Sequence, residues 1–189
     1  MATDFPFHRI VVIGATSSGK STLAKTLSER LGLEDIIELD AIYWQANWTP
    51  IEPLEFRERV ETATRSTSWI VAGNYRVVLD IVWSRAQAVI WLDLPFHVVF
   101  WRLFTRSLRR GLKQEELWNG NRERFWPHLK FWSEDSLFHW LFKTYWRRKR
   151  EIPFFLNLPW HDHLQLFHFK TQQEVDEWLA NLKIEITKS

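Results

Sequence analysis

Apolar residues along this chain fall into two kinds of stretch. One kind is the short unbroken run: Arg9-Ile10-Val11-Val12-Ile13 reads as a strand buried on both faces of a parallel sheet. Ile36-Ile37-Glu38-Leu39, Trp69-Ile70-Val71-Ala72 and Ala88–Leu92 (AVIWL) read as further strands, and His163–Phe169 (HLQLFHF) alternates like a last one. The other kind has helical spacing. Leu23, Leu27 and Leu31 line one face of a helix from Ser21 to Leu31, which Gly32 stops. Further helices are expected over about 53–67, 76–85, 96–110 (ending at Gly111), 134–150 and 172–182, with 112–133 less regular.

Five short strands with intervening helices predict a three-layer α/β/α fold around a five-stranded parallel sheet. With 189 residues and neither repeat nor low-complexity linker, one domain is expected. In such a sheet ligands bind at the carboxyl ends of the strands.

One such end carries a complete motif. Gly14-Ala15-Thr16-Ser17-Ser18-Gly19-Lys20-Ser21 reads G-x-x-x-x-G-K-[ST], between the first strand and the first helix. Gly14 and Gly19 let the backbone curl into a nest of N–H donors, and the positive end of the helix faces the same phosphates. Lys20 reaches β- and γ-phosphate oxygens, and the Ser21 hydroxyl can ligate Mg²⁺. Residues Gly14 to Thr22 are therefore expected to hold ATP with Mg²⁺.

Composition narrows the class. No apolar run is long enough to cross a bilayer, and the start MATDFPFHRI lacks the basic flank and apolar stretch of a secretory signal. With no cysteine, disulfides and thiolate metal sites are excluded, and a cytoplasmic location is expected. The thirteen tryptophans are expected mainly in the core and lining grooves. The net charge of +2 conceals a basic block: Arg102 to Arg150 holds thirteen Lys/Arg against five Asp/Glu. That block can meet substrate phosphates or nucleic acid.

The run Ile10–Leu27, the segment Leu39-Asp40-Ala41-Ile42-Tyr43-Trp44, the turn Gly73-Asn74-Tyr75 and the block Leu117-Trp118-Asn119-Gly120-Asn121-Arg122-Glu123 together resemble the adenylate-kinase-like P-loop proteins. Among these the chain looks most like the bacterial group often labelled "DNA topology modulation protein", a label that names no chemistry. The resemblance implies a nucleotide-kinase-like fold with a helical lid insertion, an acceptor-binding segment at about 40–68 and a lid at about 106–133. It implies that Asp40 contacts Mg²⁺ through water or takes the proton of an acceptor hydroxyl. Ala72-Gly73-Asn74-Tyr75-Arg76 falls where nucleotide-monophosphate kinases carry Asp-Gly-Phe-Pro-Arg, so Gly73 and Arg76 are candidate acceptor contacts, with Arg76 as the phosphate clamp. The acid missing at Ala72 shifts metal support to Asp40, with Asp93 in reserve.

Arg102, Arg106, Arg109 and Arg110 share one helical face. By the resemblance they lead into the lid, where Arg106, Arg110 and Arg122 are the favoured contacts to the transferred phosphoryl group. Tyr43, Trp44, Trp48 and Pro50 make an aromatic surface that suits either stacking on a base or packing on its own helix. Trp146-Arg147-Arg148-Lys149-Arg150 reads as a solvated helix end or a nucleic-acid contact, and His161, His163 and His168 as loop and strand residues rather than metal ligands. The expected activity is phosphoryl transfer from Mg·ATP to a small acceptor. The alternative is a nucleic-acid-associated NTPase or nucleotide switch using the basic block.

Overall fold

The structure, a computed structural model, describes residues 3–113, 116–121 and 136–183. Its main sheet is parallel throughout. The strands are β2 (Arg9–Gly14), β3 (Ile36–Glu38), β4 (Trp69–Ala72), β5 (Ala88–Leu92) and β6 (Gln165–Phe169), in spatial order β3-β4-β2-β5-β6. Two residues at each end of the described chain, β1 (Thr3–Asp4) and β7 (Leu182–Lys183), pair as a small separate ribbon that the sequence pattern did not predict.

β2 sits at the centre of the sheet, and its side chains divide by parity. Val11 and Ile13 enter one core with Val71, Val89, Trp69 and Trp91, covered by α3 (Pro53–Ala63) and α4 (Leu79–Arg85). Ile10 and Val12 enter the opposite core with Ile70 and Ile90, covered by α1 (Lys20–Leu31) and α7 (Gln172–Ala180). Both faces of the central strands are thus apolar, which is why their sequences do not alternate. A third cluster joins α5 (Phe96–Lys113) to α6 (Leu137–Leu156) through Val99, Leu103, Phe138, Leu141 and Tyr145. Tyr145 ties this pair to the sheet by donating its hydroxyl to the Leu94 carbonyl at 2.9 Å.

Several boundaries differ from those the sequence predicts. The second strand of the main sheet ends at Glu38, and Leu39 opens a five-residue helix, α2 (Leu39–Tyr43), so Asp40 lies in a first helical turn rather than at a strand end. Pairing with β4 stops at Glu38 opposite Ala72, and Leu39 is spent instead on packing beneath Gly73. α5 continues through Gly111 to Lys113; one interior glycine costs only about 1 kcal/mol and does not end a helix by itself. α6 runs past Arg150 and through Pro153 to Leu156, because Ile152 is drawn into the core under the sheet. α3 stops at Ala63, where the Thr64 hydroxyl donates back to the Val60 carbonyl at 2.9 Å. Among the described residues no helix is long and apolar enough to cross a membrane.

Candidate active site

The phosphate loop links the central strand to α1. Gly14 has φ +154°, and a Cβ there would lie 2.7 Å from the Leu92 carbonyl oxygen of β5 and 2.6 Å from Ser18 Oγ, so only glycine fits. Gly19, at φ +102°, caps α1 without a side-chain hydrogen bond, and the first turn carries no acidic residue. The helix start is therefore open to an anion. Ser17 Oγ and Ser18 Oγ are buried with no hydrogen-bond partner among the described residues. Lys20 turns back over the loop and donates to the Ala15 carbonyl at 2.8 Å. A cradle closed to any Cβ, two orphaned hydroxyls and a lysine over them fit a chain of phosphates.

Facing the loop is a polar group assembled from three elements. Gly73, at φ +152° after β4, would place a Cβ 2.7 Å from Leu39 Cβ, so its bareness lets α2 close on the end of β4. That approach brings Asp40 to Tyr75, whose hydroxyl donates to Asp40 Oδ1 at 2.5 Å. Burial pushes the Tyr75 phenol well above its ordinary pKa, and the adjacent Asp40 carboxylate adds to the effect, so Tyr75 stays a donor. Tyr43 and Phe56 hold the ring from behind, with centroids 4.7 Å and 5.3 Å away. Tyr43 thus packs on its own helix and on Tyr75.

Charge converges on Lys20. Burial lowers its pKa from 10.5 to about 8; Asp40 opposes the shift, Arg148 and Arg106 add repulsion, and Glu38 again opposes. Arg148, on α6, is half-buried, and desolvation pulls its guanidinium below the usual value while Tyr75 and Asp40 favour its charge. Lys20, Asp40, Tyr75, Arg106 and Arg148 therefore act on one another directly or through one neighbour. Ser21 stands beside Lys20 on the first, exposed turn of α1.

The remaining candidates make other contacts. Arg76, in the turn before α4, pairs with Glu151 at 3.3 Å, stands 5.5 Å over the Phe155 ring, and has a side chain 64% exposed. Arg110 is half-buried near the end of α5. Arg102 donates to the Ser18 carbonyl at 3.3 Å and to Gln172 Oε1 at 2.9 Å, touching the phosphate loop from outside. Asp93 sits between Lys149 at 3.3 Å and His168 at 3.2 Å, with His168 stacked on Trp91. His161 and His163 bond the carbonyl groups of Phe155 and Trp83, and no cluster of metal-ligating side chains occurs among the described residues. Arg122, with half of the expected lid, lies outside the described residues.

A second junction brings residues 118–121 onto the loop that follows α2. Trp118 Nε1 donates to Glu38 Oε2 at 2.9 Å, and Asn119 Nδ2 donates to the Trp44 carbonyl. Buried Asn121 accepts from Trp48 N at 2.8 Å and donates to the Gln45 carbonyl at 2.8 Å. Asn47, Trp48 and Asn119 hold left-handed backbone at this contact, with φ of 59°, 56° and 56°.

Tyr75 and Arg148 were not singled out as site residues from the sequence. Arg148 had a signal: it continues the inward stripe Leu141, Tyr145, Arg148, Ile152 at helical spacing. Tyr75 had none, since its partner lies 35 positions away.

No family model matches the chain, and no curated protein matches it. Its backbone is similar to a gluconokinase from Sinorhizobium meliloti 1021, with 18% identity, TM-score 0.52 and coverage of 95% of this chain and 93% of that one. A shikimate kinase from Acinetobacter baumannii, solved in complex with shikimate, is similar at 15% identity, TM-score 0.53 and coverage of 93% and 90%. A sugar kinase from Janibacter sp. HTCC2649 follows at 17% identity, TM-score 0.50 and coverage of 94% and 99%. These likenesses show the fold alone, one that this chain shares with those three proteins.

Proposed function

We propose that this protein is a small-molecule kinase that transfers the γ-phosphoryl group of Mg·ATP to a small acceptor. The observation that carries the reading is the facing arrangement: a phosphate cradle with Lys20 on one side, and Asp40, held by Tyr75 and flanked by Arg148, on the other. Phosphoryl transfer asks a protein mainly to position two reactants and screen charge, and these residues suit both tasks. The similar folds carry the names gluconokinase, sugar kinase and shikimate kinase, which supports a small acceptor.

ATP phosphates lie along Gly14 to Thr22, with Lys20 turning from the Ala15 carbonyl to the transferring group. Mg²⁺, held by the Ser21 hydroxyl and by Asp40 through water, would neutralise phosphate charge; a hydroxyl and a carboxylate are the hard oxygen donors it prefers. Arg106 and Arg148 screen the charge of the transferring phosphoryl group, and Arg110 and Arg122 extend that charge into the lid. Gly73 and Tyr43 shape the acceptor side. The adenylate-kinase-like resemblance supports this layout, while the label about DNA topology adds no chemistry.

The basic run favours the enzyme over a nucleic-acid-bound switch. Arg147 pairs with Glu151 at 3.8 Å, Lys149 with Asp93 at 3.3 Å, and Arg148 is half-buried, so three of the four cations are engaged within the protein, although Arg147 and Arg150 are both exposed. The test is ADP release from Mg·ATP by the purified protein, alone and with pooled nucleoside monophosphates, nucleosides, sugars and hydroxy acids. Acceptor-dependent release, lost in Lys20→Ala, is expected. Release indifferent to every pool but stimulated by nucleic acid would replace this reading with the switch.

A further inference from the structure

We propose that this protein docks on the surface of a membrane rich in anionic phospholipid, through an aromatic face built by α5 and α6. The proposal goes beyond the kinase reading and does not depend on it.

α5 has two unlike flanks. Helical spacing puts Arg102 and Arg106 on the flank toward the phosphate loop, where Arg102 reaches the Ser18 carbonyl and Arg106 acts on Lys20. Val99 and Leu103 come next around the helix and enter the cluster shared with α6. Beyond them lies an apolar flank, with Phe100, Trp101, Phe104, Leu108 and Leu112 recurring along its length. Trp101 is 63% exposed and Leu112 76% exposed, so this flank is turned to the outside.

α6 widens the same face. Phe142, 48% exposed, lies 5.0 Å from the Phe96 ring and 6.1 Å from Phe100, and Trp146, 57% exposed, stacks 6.2 Å from Phe96. Trp101 joins this surface through Phe104 at 5.7 Å, and Phe104 joins it through Phe138 at 6.3 Å. A protein surface rarely leaves so many large apolar side chains to water without a partner.

Charge identifies the partner. The two helices carry ten Lys/Arg and one acid, Glu151, whereas the rest of the chain holds fifteen Lys/Arg against twenty-two Asp/Glu. The ring pairs Phe96–Trp146 and Phe104–Phe138 make the helices antiparallel, so exposed Arg150 and Lys113 stand near opposite ends of the aromatic face. An anionic bilayer takes both features at once. Indole and phenyl rings settle at the headgroup boundary, and the negative leaflet attracts the cations around them. A second copy of the chain would bring ten cations against ten. A nucleic acid would use the cations and stack on rings, but it offers nothing to Leu108 and Leu112. The phosphate loop lies along the other flank of α5, so docking and nucleotide binding are compatible.

The experiment floats the purified full-length protein with vesicles of phosphatidylcholine alone, or of equal parts phosphatidylcholine and phosphatidylglycerol. Recovery with the mixed vesicles only, weakened by salt, is expected. Trp101→Ser/Trp146→Ser is expected to lower the affinity at least about tenfold, while Trp160→Ser, which removes an exposed indole from the turn after α6, leaves it unchanged. Because a folding defect would imitate that loss, Lys113→Glu/Arg150→Glu provides a second variant, expected to weaken binding at unchanged Tm. Recovery with neither vesicle, or equally with both, would overturn the proposal. A dimer dispersed by the double Trp variant, without vesicle binding, would assign the face to a second copy instead. Single-stranded DNA bound in place of vesicles would assign it to nucleic acid.

Discussion

Asn121 accepts a hydrogen bond from the backbone of Trp48 and returns one to the carbonyl of Gln45, each at 2.8 Å, pinning residues 118–121 to the loop after α2 through a buried carboxamide. The two segments are 73 residues apart in sequence, and both adopt left-handed backbone to meet.

Asn121→Ala would strand a donor and an acceptor in a buried place, a loss of about 1–3 kcal/mol. For a chain of this size the expected fall in Tm is about 3–10 °C by calorimetry. The acceptor KM is expected to rise more than the ATP KM. An unchanged melting curve would show that the junction carries no stability.

Gly73→Ala tests the approach of α2 to β4. The added methyl would sit 2.7 Å from Leu39 Cβ on backbone at φ +152°, so both overlap and strain apply. A loss of about 2–4 kcal/mol is expected in denaturant unfolding, together with reduced turnover as Asp40 moves from Tyr75. Wild-type stability would mean that Leu39 can yield.

Lys20 gives a pH signature. Its pKa falls from 10.5 to about 8 on folding, so the folded chain holds fewer protons than the unfolded chain between those values. From this group alone, the stability of the ligand-free protein is expected to rise with pH through that window and to be flat below it. Bound phosphates favour the ammonium, so ATP binding above about pH 8 is expected to draw in a proton. Calorimetry in buffers of differing ionisation enthalpy reads that uptake, which should vanish in Lys20→Met. Uptake that persists in the variant would assign the proton to another group.

Arg148 and Arg150 separate the inward cation from the surface one. Arg148→Gln is expected to cut kcat by about a hundredfold through lost charge screening, while exposed Arg150→Gln leaves it unchanged. Equal effects would point back to the run as a whole.

What was legible in the chain followed the range of the interactions involved. The phosphate loop is eight consecutive residues between a strand and a helix, and its identity and place could be read directly. The central strands β2, β4 and β5 were equally plain, because burial on both faces leaves them almost without polar positions, while the partly exposed edge strand β6 was marked by alternation instead. Asp40 was recognisable as a candidate, but its helical setting was not, since Leu39 continues an apolar run and nothing local says that it packs under Gly73. Arg148 was masked by three neighbouring cations, although the stripe from Leu141 to Ile152 marks its face. The Arg76–Glu151 pair and the Asn121 junction join positions more than seventy residues apart, a distance over which periodicity carries no information.

The most direct test of the account is to follow the fate of the γ-phosphoryl group itself, using γ-labelled ATP, Mg²⁺ and the identified pool of acceptors, with Lys20→Ala alongside. The account predicts label on a small organic product with the wild-type protein and none with the variant. Label found only as inorganic phosphate, at a rate no acceptor changes, would contradict it.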